Sequence, residues 1–143
     1  MSGAIKFLIA AVALYAGYAL WQKHNDRAEA AALAAITDDR GFIELTPPNG
    51  GKRESVIIVA AQNCPHEAAQ RADALAREMA ERNIRYVRTS SIVFTPPPDF
   101  DEAYVSRHNR IMNQELPLVF VNGRVKSNPD LQEVLAEYEE ANR

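Results

Sequence analysis

One cysteine, six glycines and a slight acidic excess set the first limits on this 143-residue chain. The single thiol, Cys64, cannot close an internal disulfide, so no disulfide framework is available to hold a fold together. A free thiol suits either side of a membrane, and cysteine usage therefore leaves the redox compartment open. Sixteen Lys and Arg against nineteen Asp and Glu give a net charge of −3. That balance argues against nucleic acid as a partner bound through general phosphate neutralisation. The chain also lacks a Gly-rich phosphate loop, an internal repeat and a cluster of residues at metal-ligand spacing. What remains is ordinary globular composition, 47% hydrophobic and 24% charged, enough to bury a core in one domain and to exclude wholesale disorder.

The longest apolar run lies at the start. Over residues 4–21 only Lys6 is charged, and residues 7–21 carry no charge at all. A helix of that length spans roughly 27 Å, close to a hydrocarbon core of about 30 Å. Lys6 can snorkel at one end, while Tyr18 and Trp21 suit the interface at the other. Residues 1–24 are therefore read as a single-pass membrane segment. The competing reading is a cleaved export signal with Gly17 and Ala19 before the cut, but Tyr15, Tyr18 and Trp21 are bulky for that position. For sidedness two rules disagree. Lys23, Arg27 and Arg40 after the segment favour a cytoplasmic domain, whereas a positive start followed at once by an apolar run has the form of an export signal. The second is preferred, which places the domain on the extracytoplasmic, periplasmic side. Residues 25–54 read as an Ala-rich helical continuation, a break at Asp38-Asp39-Arg40-Gly41, a short strand over 42–45, and a linker through Pro47-Pro48-Asn49-Gly50-Gly51.

Residues 55–143 read as the compact domain. The β-branched run over 56–61 predicts a strand buried on both faces. Pro65 suits the first turn of a helix whose apolar stripe is Ala68, Ala72, Leu75, Ala76 and Met79. A second strand over 84–90 completes a right-handed βαβ unit. Asp99 with Glu102 predicts a capped helix running to about Gln114, with Phe100, Ala103, Tyr104 and Ile111 on its apolar face. Asn122-Gly123 between two strand-like runs predicts a hairpin. Asn128 as N-cap and Pro129 at the first helical position predict a last helix with Leu131, Val134, Leu135 and Tyr138 buried. The order is β-α-β-α-β-β-α, an α/β fold with a mixed four-stranded sheet.

That order, with Cys64-Pro65 at the first helix start and Leu116-Pro117 opening the third strand, resembles the glutaredoxin and thioredoxin superfamily over roughly residues 55–142. The resemblance implies a thioredoxin-like fold, a nucleophilic thiol at Cys64 and a cis-proline at Pro117 beside it. It also implies that the backbone of Leu116 pairs with a bound thiol substrate. Residues 127–130 fall where glutaredoxins carry a Gly-Gly-x-Asp-Asp turn for glutathione, and Asp130 alone of that turn is retained. The motif here is Cys64-Pro65-His66-Glu67. Glu67 stands where the second cysteine of the family would fall, so a two-thiol mechanism is unavailable and a monothiol one remains.

The chemistry open to Cys64 follows from its place. A helix N-terminus lowers a thiol pKa through its free N–H groups and dipole. Protonated His66 would add to this; Glu67 would oppose it, though Glu there also serves as an ordinary capping residue. Asn63 and Gln62 can offer polar contacts to a substrate or simply end the strand. A Cys64 and His66 metal site has too few ligands in one chain, although two copies would supply four. His108, between Arg107 and Arg110, reads as a solvent-exposed helix residue. Three functions compete. One is a membrane-tethered monothiol oxidoreductase exchanging with glutathione or a protein thiol or disulfide, glutathione entering as co-substrate with no resident cofactor. Another is a non-catalytic scaffold recruiting a protein through the region around 96–100. The last is a homodimer linked through Cys64.

Overall fold

The computed structural model describes residues 3–52, 55–63 and 65–143, with Ala4 and Asn49 described by their backbone alone. Cys64, to which the thiol chemistry was assigned, lies outside the described residues. The chain divides into two units, Met1–Ile36 and Thr37–Arg143.

The first unit is a single helix, α1 (Gly3–Ala35). Its segment Ile5–Ala35 is long and apolar enough to cross a membrane, and none of its apolar window is buried against protein. Thirty-three residues at about 1.5 Å each exceed a bilayer core of about 30 Å by several turns. The change of composition after Trp21 marks where the polar part begins, and there Asn25 donates to Glu29 one turn on (3.1 Å). Trp21, the one tryptophan in the chain, is exposed on α1.

The second unit contains β1 (Ile43–Glu44), β2 (Val56–Val59), α2 (Glu67–Glu81), β3 (Tyr86–Thr89), α3 (Glu102–Met112), β4 (Leu118–Val121), β5 (Arg124–Ser127) and α4 (Leu131–Ala141). The sheet runs β1-β5-β4-β2-β3. Strands β2 and β3 are parallel, with Ile57 opposite Val87. The β2/β4, β4/β5 and β1/β5 pairs are antiparallel. The sheet thus has five strands where the sequence predicts four. The fifth is β1, whose Ile43 and Glu44 pair with Val125 and Arg124, so the short strand expected at 42–45, outside the compact domain, covers the β5 edge and belongs to the sheet.

Period-two alternation sorts the strands onto two layers. Val56, Ile58, Val119 and Val121 form one buried cluster with Ala72, Leu75, Ala76 and Met79 of α2, Val134 of α4 and Phe42. Ile57 and Phe120 take the opposite face, where the Phe94 ring lies 6.1 Å from that of Phe120. The β4/β5 turn uses Asn122 (φ 55°) and Gly123 (φ 78°), the left-handed pair that a two-residue hairpin favours.

Three helix starts differ from the sequence reading. Helix α2 begins at Glu67 with His66 as N-cap, so Pro65 precedes the helix. Asp101, not Asp99, caps α3 by accepting from the Tyr104 N–H (2.8 Å). Asp130, not Asn128, caps α4 in a reciprocal box with Glu133 (2.9 and 3.0 Å). At α3 and α4 several capping residues stand close together. The one that caps is the one whose backbone is extended just before the helix.

Candidate functional site

The residues singled out in the sequence fall on the start of α2, the entry to β4 and the start of α4. Asn63 is exposed and sits in the left-handed region (φ 53°), which asparagine tolerates better than most residues. His66 is exposed and makes no side-chain cap. Glu67 is the first residue of α2, where its carboxylate faces the positive end of the helix dipole. One turn on, Arg71 Nη1 pairs with Glu67 (2.7 Å).

Arg71 ties this helix to the entry of β4. Its Nη2 donates to the Leu116 carbonyl (3.1 Å) and to the Glu115 carboxylate (3.1 Å). The Leu116–Pro117 peptide is cis. Each carbonyl of the three-residue approach to β4 has its own donor. The Ser127 hydroxyl serves Glu115 (2.6 Å), Arg71 serves Leu116, and the Asn128 N–H serves Pro117 (2.7 Å). Residues from α2, β5 and the turn before α4 therefore hold one short segment. Sequence reasoning did not find Arg71, because its partners lie more than forty positions away. Asp130 spends one carboxylate oxygen capping α4.

The charge around this segment is mixed. Glu67, Glu115 and Asp130 are exposed, and Arg71 is the cation among them. Among the described residues no group of three or more His, Cys, Asp or Glu could hold a metal ion.

A second site lies away from that segment. Between the proline-rich loop and α3, a cleft of about 200 Å³ is lined by Phe94, Pro96, Phe100, Tyr104, Val105 and His108. The His108 ring meets Phe94 edge-on at 4.1 Å and lies 6.0 Å from the Tyr104 ring. His108 is half-buried rather than solvent-exposed. The aromatic neighbours exclude water, and desolvation holds its pKa below the usual histidine value. His108 Nδ1 and Tyr104 Oη have no hydrogen-bond partner and almost no accessible surface.

The lowered pKa gives a pH test of this packing. The unfolded chain takes up a proton near pH 6.5, and the folded chain does so only at lower pH. Stability is thus lost as pH falls through 6.5 and levels off below the folded-state value. Urea midpoints at pH 8 and pH 5 are expected to differ more for the native chain than for His108→Gln. Equal differences would place His108 in an ordinary aqueous setting.

Comparison with protein-family models, with curated proteins and with solved structures finds no match to this chain.

Proposed function

We propose that this chain is a membrane-tethered domain of thioredoxin-like type in which Cys64 performs monothiol exchange with a protein or glutathione thiol. The observation that supports it best is the strand order β3-β2-β4-β5, with β2 and β3 parallel, β4 antiparallel to β2, and β5 returning antiparallel to β4 through a hairpin. That arrangement agrees with the β-α-β-α-β-β-α order read in the sequence. Arg71 links the second turn of α2 to the Leu116 carbonyl, part of the backbone to which the resemblance assigns substrate pairing, so that carbonyl already has one donor. Helix α1 supports the tether; the extracytoplasmic side rests on the export-signal form of residues 1–21. Exchange proceeds by attack of the Cys64 thiolate on a disulfide sulfur. A mixed disulfide forms, one thiolate leaves, and a second thiol later resolves the link.

Alkylation of Cys64 by iodoacetamide across pH tests this reading in the full-length chain. The expected midpoint lies below about 8.5, the ordinary cysteine value, with loss of disulfide exchange in Cys64→Ser. An ordinary titration with no exchange activity would remove the enzyme.

A second reading, a non-catalytic binding module, is favoured by the open aromatic cleft beside α3. It predicts that Cys64→Ala leaves the cellular role of the chain intact.

A further inference from the structure

We propose that the cleft between the proline-rich loop and α3 seats one bulky apolar side chain from a partner protein whose neighbouring residues are basic. The proposal rests on the binding-module reading and specifies its partner. Size is the first argument. At about 200 Å³ the cleft falls below the roughly 300–1,000 Å³ of sites for cofactors and drug-sized ligands. It matches the scale of a pocket for a single anchor residue, which is how protein interfaces concentrate their binding energy.

The wall is the second argument. Phe94, Phe100, Tyr104, Val105 and His108 present ring and methyl carbon to the cleft. The Oη of Tyr104 and Nδ1 of His108 are shielded from solvent and offer a guest no hydrogen bond. Phe100 and Val105 keep 51% and 41% of their surface exposed at the rim, so apolar area remains for an occupant to cover.

Charge supplies the third argument and selects the neighbours of the anchor. Phe100 is flanked by Asp99 and Asp101, with Glu102 next, and all three acids are exposed. Arg107, a cation on α3, lies over the Tyr104 ring (5.9 Å). It projects from α3 on the far side of Tyr104 from Val105, because positions 105 and 107 are about 200° apart around a helix. Exposed carboxylates beside the lining residue Phe100 attract basic residues and are repelled by an anionic bilayer surface. A basic protein segment is therefore favoured over lipid.

The test uses the full-length chain in nanodiscs of zwitterionic lipid, with its aromatic rings ¹³C-labelled. The probes are an acetylated, amidated pentapeptide with central phenylalanine between lysine pairs, and its counterpart with glutamates. The lysine peptide is expected to shift the Phe94, Tyr104 and His108 ring signals and to bind at least about fivefold more tightly than the glutamate peptide, the scale of a few exposed ion pairs. Val105→Asp should abolish the shifts, and Asp99→Lys with Glu102→Lys should remove or reverse the preference. All three positions are exposed, so the fold is not at risk. No shift at these rings, or equal response to both peptides, overturns the proposal. So does the same shift produced by anionic lipid alone, which would assign the cleft to the bilayer. Cells carrying Cys64→Ala separate the two failures. A silent cleft with the cellular role preserved overturns this inference and leaves the binding module standing, whereas loss of that role removes the reading beneath it.

Discussion

Replacing Phe42 with alanine is expected to lower the unfolding free energy by about 3–5 kcal/mol, the usual cost of deleting a fully buried phenylalanine. Phe42 precedes β1 and is only 1% exposed. Its ring sits in the main cluster with strand residues and with α2 and α4. Its backbone is held as firmly, since the Phe42 N–H donates to Asp38 Oδ1 (2.7 Å) and its carbonyl accepts from the Asp38 N–H (2.9 Å). Were residues 25–54 only a tether, the substitution would cost almost nothing. Urea unfolding followed by far-ultraviolet circular dichroism distinguishes the outcomes, and a midpoint shift at unchanged slope is the expected form.

A comparably large effect is expected where the same segment meets α4. Glu137 is 4% exposed. Its carboxylate faces Arg124 Nη1 at 3.4 Å and Arg40 Nη1 at 3.7 Å. Arg124 also pairs with Asp38 (2.9 Å), and Arg40 with Glu140. Arg40→Met together with Arg124→Met leaves the Glu137 carboxylate buried without a counter-charge. Breaking a buried pair costs about 3–5 kcal/mol. Both guanidiniums are a third or more exposed, so a loss of about 2–4 kcal/mol is expected after solvent screening. Adding Glu137→Met should restore most of it, because a charge that is absent needs no partner. Urea midpoints for the native, double and triple variants measure both steps. Equal loss in double and triple variants would show that the arginines act by packing alone.

These two effects mark where the sequence was hardest to read. The β2, β4 and β5 strands announce themselves through β-branched runs and the Asn122-Gly123 turn, and α2 through its spaced alanines and leucine. Such signals are local, spanning a turn or a strand. A two-residue strand such as β1 has no period of its own, and it belongs to the sheet only because β5 pairs with it from eighty residues away. The burial of Glu137 has no local signal on α4, because the arginines that neutralise it come from positions 40 and 124. The candidate site divides in the same way. Pro117 and Asp130 were singled out by the resemblance alone, and the aromatic residues of α3 by spacing. Arg71 could not be found, and neither could the burial of His108, since both depend on a distant loop folding back. Phe100 was assigned to the core by spacing but lies at the rim of the cleft, just before Asp101 starts the helix.

The position of Trp21 has a practical outcome for every such measurement. The chain's one indole belongs to the apolar helix, whereas its tyrosines and phenylalanines are shared with the sheet unit. Emission excited at 295 nm therefore reports the surroundings of α1. Quenching of that emission by brominated lipid tests whether the helix enters a bilayer, using the unlabelled native chain.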